Sequence, residues 1–232
     1  SFTLQIGDLK QQLELYKFIY KQKSKKLQKR FFKSLVNAFG YFVPTSLSKN
    51  QKDVLLLETL SPIDFITISW SRIGAICKNL FKLHDNNIVH GNINKSNIMI
   101  HSKNKKIKYV DLRYTHIVGK DIGYMKSNGK VDTFVKPKLN IIGNEYDVTF
   151  VCKYFDLLNL LNIQEFSLLN SVIDKELGVG KLPMNIIDIN ISKIDNIIDI
   201  ELSADKLKIL EDSYNYLKKQ VIKEIKKNSS IF

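Results

Sequence analysis

The sequence predicts an α+β chain: a small β-containing N-terminal part at 1–60, then a larger, mainly helical part at 61–232. Three observations carry this. Apolar residues recur at three- and four-residue steps over 9–35, 73–83 and 207–225, the period of an amphipathic helix. Two pairs of short apolar runs flank polar turns, at 39–57 and 98–110, as hairpins do. Residues 148–161 are apolar on nearly all sides, which suits a helix at the centre of a domain.

With 232 residues and 44% hydrophobic content, the chain can bury a core, and a disordered or fibrous protein is excluded. No apolar run nears the roughly 18 residues that a spanning helix needs, and Ser1–Lys10 has no signal-peptide pattern. The expectation is an intracellular protein, cytoplasmic or nuclear, with no membrane insertion. Cys77 and Cys152 lie in apolar patterns without ligand-spaced partners, so both are expected to be core thiols. The formal charge of +13 comes from 33 Lys and only 3 Arg against 23 acids. Residues 1–52 hold 11 of the basic residues against Asp8 and Glu14, a net +9, which makes this end a candidate contact surface.

In chain order, Leu9, Leu13, Tyr16 and Ile19 begin a helical rhythm that Leu27, Phe31 and Leu35 continue. Between them lies a basic patch, Lys25, Lys26, Lys29, Arg30 and Lys33. Lys offers point charge without a bidentate fork, so the patch predicts at most unspecific attraction to nucleic acid. Phe39–Val43 and Val54–Leu57 read as a hairpin, and Glu58 follows. Ile73, Ile76, Cys77, Leu80 and Phe81 form the stripe of a second helix, and Ile98–Ile100 with Ile107–Val110 form another hairpin. Asp147 opens the greasy helix. Residues 185–202 carry no clear period, and Ser203 is the candidate N-cap of a last helix whose stripe runs from Leu207 through Tyr214, Leu217 and Val221 to Ile225. Gly178-Val179-Gly180-Lys181 reads as a plain turn, because the upstream glycine of a phosphate loop is missing.

The chemistry-bearing stretch is His90-Gly91-Asn92-Ile93-Asn94-Lys95-Ser96-Asn97, a hairpin, then Tyr109-Val110-Asp111-Leu112-Arg113. It resembles the protein-kinase superfamily, whose catalytic loop reads His-x-Asp-x-x-x-x-Asn and is followed by a hairpin and the metal-binding Asp of Asp-Phe-Gly. The resemblance implies a kinase-like fold with a reduced N-lobe and a helical C-lobe. It places His90 as loop scaffold, Asn97 and Asp111 as metal-binding positions, Glu58 in the interlobe hinge where nucleotide binds, and Asp147 as the structural Asp of the central helix. Phe134-Val135-Lys136-Pro137-Lys138 occupies the place of Ala-Pro-Glu, with Lys138 where the family has Glu. The His-Gly start of the loop and Leu13-Glu14-Leu15-Tyr16-Lys17 look most like the vaccinia-related kinase branch and its viral inactive relatives.

Departures from the pattern decide the functional expectation. Asn92 stands at the base position, and an amide cannot accept the substrate proton near neutral pH. Arg113 replaces the Gly of Asp-Phe-Gly. Neither a glycine-rich loop nor a strand Lys is visible, and Glu14 is the candidate helix Glu. The expectation is a pseudokinase that acts by protein–protein interaction on an active kinase or its substrate. No cofactor is expected, with ATP and Mg²⁺ entering only through residual nucleotide binding. The alternatives are a low-activity ATP-dependent Ser/Thr kinase and a nucleic-acid-binding module using the basic N-terminal helix.

Overall fold

The computed structural model describes residues 2–7, 9–42, 52–117, 139–141, 144–146, 149–166, 169 and 204–229. These form a mixed α and β structure of five helices and small antiparallel sheets. The expectations for Phe134–Lys138, Asp147, Gly178–Lys181, 185–202 and Ser203 lie outside the described residues, as does the side chain of Cys152.

The N-terminal sheet has the order β1-β3-β2, from β1 (Phe2–Gly7), β2 (Ala38–Phe42) and β3 (Asp53–Glu58). Strands β2 and β3 are the hairpin expected from the two apolar runs at 39–57, with a register shift between Ala38 and Gly40. The sequence reading missed β1, which joins the far edge of β3 with Phe2 opposite Glu58 and Gly7 opposite Asp53. Its residues Phe2-Thr3-Leu4-Gln5-Ile6-Gly7 do alternate, but the apolar set Phe2, Leu4 and Ile6 is the exposed one, the reverse of a strand that buries its apolar face. The inward face of the sheet presents buried Ala38, Leu55 and Leu57.

The helical rhythm of residues 9–35 is two helices, α1 (Lys10–Tyr20) and α2 (Lys25–Ser34). Ser24 divides them by capping α2, its hydroxyl accepting from the Leu27 N–H at 3.3 Å. Helix α1 buries Leu9, Leu13, Leu15, Tyr16 and Ile19, and α2 buries Phe31. The linker that follows α2 ties the sheet to the rest. Leu35 bridges Tyr109 in parallel, the Val36 N–H donates to the Tyr109 carbonyl (2.9 Å), and the Glu58 N–H donates to the Asn37 carbonyl (2.9 Å).

Helix α3 (Trp70–His84) starts at Ser69, whose hydroxyl accepts from the Arg72 N–H, and buries the predicted stripe Ile73, Ile76, Cys77, Leu80 and Phe81. Before it lies β4 (Ser61–Pro62), which pairs with β6 (Ile98–Ile100), and β6 pairs in turn with β7 (Ile107–Tyr109). Strand β5 (Ile88–Val89) pairs with β8 (His116–Ile117). Strands β9 (Leu139–Ile141) and β10 (Asn144–Tyr146) make a separate hairpin. Helix α4 (Thr149–Leu161) buries Tyr154, Leu157, Leu158, Leu160 and Leu161, as its greasy composition required. Helix α5 (Ala204–Ser229) lies against both α3 and α4 and buries Tyr214, Leu217 and Val221. Gly74 of α3 sits where an added Cβ would come within 2.8 Å of Ile225, so the two helices meet closely at that point.

Cys77 is a buried free thiol, and burial pushes its pKa up to about 12, which leaves it unreactive. No helix among the described residues is long and apolar enough to cross a membrane.

A buried ion pair fastens the sheet to the hairpin β6-β7. The Lys108 ammonium donates to the Glu58 carboxylate at 2.5 Å, and the same oxygen accepts from the Asn37 N–H at 2.8 Å. Their side chains are 9% and 10% exposed. Removing one partner strands the other charge, so Lys108→Met is expected to cost about 3–5 kcal/mol in urea denaturation. Adding Glu58→Gln to it is expected to restore a large part of that loss. Equal stability of Lys108→Met and the parent would show that the pair carries no such weight.

Candidate functional site

The loop between β5 and β6 is built around one buried carboxylate. Asp156 projects from the middle of α4, 1% exposed, and accepts from the His90 N–H (2.7 Å) and the Gly91 N–H (2.9 Å). His84, the last residue of α3, places Nε2 3.1 Å from the same carboxylate and Nδ1 2.7 Å from the Tyr214 hydroxyl of α5. Burial alone would raise the Asp156 pKa. The His84 hydrogen bond, the neighbouring imidazoles and the Gly91 N–H outweigh it, and the net shift is downward.

Three helices and the loop therefore meet at Asp156. Asp147, expected as the structural Asp of the central helix, lies outside the described residues, while Asp156 supports the loop from the middle of α4. The signal was legible: it is the lone acid in Thr149–Leu161, an otherwise apolar helix interrupted also by Lys153 and Asn159. An unpaired carboxylate there would be prohibitively costly, so it had to have partners.

His90 is fully buried. Its Nε2–H donates to the Val110 carbonyl at 2.9 Å, while Nδ1 accepts from the Asn92 N–H at 3.2 Å. Only a neutral ring can do both. Burial lowers the His90 pKa, against the opposing pull of Asp156, the Val110 carbonyl and Asp111. Its carbonyl accepts from the Thr115 hydroxyl (3.0 Å). Gly91 adopts φ +82°, and an added Cβ would lie 2.6 Å from the Tyr114 carbonyl oxygen, so both conformation and space demand glycine.

The residues predicted for chemistry come together here. The Asn97 amide donates through Nδ2 to the Asn92 carbonyl (2.9 Å), and the Val110 N–H donates to the Asn97 carbonyl (2.9 Å), setting Asp111 beside the loop. Asn94 caps the 3-10 turn Lys95–Asn97, its Oδ1 accepting from the Asn97 N–H (3.2 Å) and the Ser96 hydroxyl (2.5 Å). The Asn92 side chain is engaged weakly, its Oδ1 3.3 Å from the Asn94 amide. Lys95 is occupied at 2.6 Å by Glu165.

Asp111 has a left-handed backbone, φ 59° and ψ 70°, which a non-glycine residue adopts only at some cost. Its carboxylate is held in a bidentate pair by Arg113, Nε to Oδ1 and a terminal nitrogen to Oδ2, both at 2.6 Å. A divalent cation needs those same oxygens, and the guanidinium already supplies positive charge to both. The residues present thus do not fit a metal at Asp111 in this arrangement.

The other expected positions lie away from this loop cluster. The Glu58 side chain is committed to Lys108 and Asn37, and its backbone N–H to Asn37. Glu14 lies half exposed, paired with Lys17 at 2.7 Å. The polar residue on the inward face of α1 is Gln12, fully buried, with neither amide atom partnered among the described residues. Helix α1 packs against the 3-10 turn Leu112–Tyr114, directly after Asp111. Sequence reasoning missed Gln12 because it looked only for a charged residue. Lys25, Lys26, Lys29, Arg30 and Lys33 are all exposed on α2.

No protein-family model matches the chain, and no curated protein sequence matches it significantly.

Two tests follow from the hub. Asp156→Asn turns an amide donor toward backbone N–H groups and removes a fully desolvated acceptor, and is expected to cost about 3–5 kcal/mol in chemical denaturation. Loss below about 1 kcal/mol would contradict its central place. The pH profile has a definite sign. His90 has a folded pKa below its ordinary 6.5, so below that pH the unfolded chain binds the proton that the folded chain refuses. Stability should fall as pH drops below 6.5, by up to about 1.4 kcal/mol per unit. Asp156, depressed below 3.8, adds a second loss only in stronger acid, as pH falls through its folded pKa. A His90→Gln variant whose stability declined just as steeply between pH 6.5 and 5 would assign the slope elsewhere.

Proposed function

We propose that the chain is a catalytically impaired, kinase-like protein that works by protein–protein interaction, its surfaces modulating an active kinase or that kinase's substrate. What supports the kinase-like reading is the joint placement of His90, Asn92, Asn97 and Asp111 in one hydrogen-bonded cluster between a three-stranded antiparallel sheet and a helical body.

The observation that carries the loss of catalysis is the Asp111–Arg113 pair, together with the amide at position 92. Phosphoryl transfer relies on positioning and on metal-borne neutralisation of phosphate charge. Here the metal-binding carboxylate is neutralised from within the chain, and no carboxylate stands at the base position. Glu14, the candidate helix Glu, is half exposed and paired with Lys17 on its own helix, which fits the same reading, since a phosphate-gripping pair would need it turned toward a strand Lys.

Arg113→Gly is expected to free Asp111 and to confer a thermal shift with Mn²⁺ that the parent lacks. Combining it with Asn92→Asp should raise phosphotransfer from background by about tenfold or more, a gain of roughly 1.4 kcal/mol in the barrier. Phosphotransfer by the parent chain that vanishes on Asn97→Ala or Asp111→Ala would refute the proposal and favour an atypical kinase.

A further inference from the structure

Helices α3 and α5 do not close completely over one another. Above their close contact at Gly74 and Ile225 runs an open groove of about 670 Å³. Each wall is a single helical stripe: Ala75, Lys78 and Lys82 from α3, and Lys218, Ile222 and Lys226 from α5. At 1.5 Å per residue, the span from Ser71 to Lys82 is about 16 Å, three turns of helix. The span from Lys218 to Ser229 on the other wall is about as long.

The floor is apolar and only partly covered, because Ala75, Ile222 and Ile225 are half-buried among the described residues while Phe81 lies buried beneath. The rim is basic. Lys78 and Lys82 are exposed and have no carboxylate partner among the described residues, and the same holds for Lys33 on neighbouring α2. The one acid lining the groove, Asp85, is already taken by Lys218 at 2.7 Å, and that ammonium also rests 5.3 Å above the Phe81 ring. The lysines crowd one another: partial burial lowers the Lys82 pKa, and repulsion from Lys78 and Lys33 lowers it further. An anionic occupant would relieve that repulsion.

We infer that the α3–α5 groove is a docking site for an acidic amphipathic helix of a partner protein. Such a helix would lay apolar side chains at i, i+4 and i+7 on Ala75, Ile222 and Ile225. Its carboxylates would meet Lys78, Lys82 and Lys33. Nucleic acid suits the groove less well. Its floor is aliphatic, no exposed aromatic ring lines it for base stacking, and its cations are all Lys. The inference goes beyond the proposed function and stands without it, because nothing in the groove uses the loop at 90–97 and an active kinase could carry it equally.

The test uses the full chain and a synthetic helical peptide of about 16 residues, with Leu at i, i+4, i+7 and i+11 and Glu flanking them. Two competitors are a scrambled peptide of the same composition and a single-stranded oligonucleotide of equal charge. Fluorescence anisotropy reads affinity, and amide chemical shifts read location. Expected is saturable binding with shifts confined to α3 and α5. Lys78→Glu with Lys82→Glu should weaken it about tenfold or more, as should scrambling the peptide. Lys25→Glu with Lys26→Glu on the far part of α2 should leave affinity within about twofold, and unchanged melting curves would show that both variants fold. Absence of binding, equal binding of the scrambled peptide, shifts elsewhere, or tighter groove binding by the oligonucleotide would each overturn the inference.

Discussion

One buried carboxylate organises this molecule. Asp156 has no route to water, so its charge exists only because three donors converge on it: the amides of His90 and Gly91 and the ring of His84. An uncompensated carboxylate in that position would be prohibitive, whereas one with three hydrogen bonds is tolerated and exacting about geometry. The demand fixes the end of α3, the course of the loop and the placement of α4 together. Tyr214 extends the same chain of bonds to α5. A satisfied polar hub in an otherwise apolar core adds direction to packing that apolar neighbours such as Leu157 and Leu160 leave non-directional.

The loop inherits its shape from that hub. Because the His90 and Gly91 amides face inward, His90 is drawn into the core and its ring spans to the Val110 carbonyl, joining the loop to the end of β7. Gly91 must then turn through a left-handed conformation under the Tyr114 carbonyl. Asn97 closes the circuit by returning to the Asn92 carbonyl. Every residue whose type the loop constrains is constrained by this geometry. Asn92 is the exception: its backbone makes three hydrogen bonds, whereas its side chain meets the Asn94 amide at 3.3 Å. The side chain at this position can vary in chemistry with little disturbance to the hydrogen bonds that shape the loop.

Much of this was legible in the sequence, where a local rule acts alone. The stripe of α3, the β6-β7 hairpin and the apolar α4 each followed from periodicity, because burial on one face or on all faces leaves a direct mark on residue choice. The joint of α1 and α2 was not legible, since the apolar rhythm runs on through a break whose only marks are the polar run at Gln22–Ser24 and the cap at Ser24. Strand β1 alternates Phe2, Leu4 and Ile6 with Thr3, Gln5 and Gly7, but with the apolar set exposed, so its pattern points away from the core. The Lys108–Glu58 pair joins residues 50 apart, and Asp156 meets His90 across 66. No spacing rule reaches that far, so charged residues inside apolar elements pointed to buried partners without naming them.

The electrostatics of the site follow one pattern: the acids described around this loop each meet a counter-charge or a set of donors within the chain. Asp156 is answered by backbone dipoles and His84, Glu58 by Lys108, and Asp111 by both arms of Arg113. Gln12, inward on α1 and without a partner among the described residues, is neutral. Each acid thus has its counterpart at hydrogen-bond distance before any ligand arrives. Unbalanced charge is displaced to the outer surface, onto the lysines of α2 and of the groove beside α3, where the field of a chain carrying +13 can act on a partner.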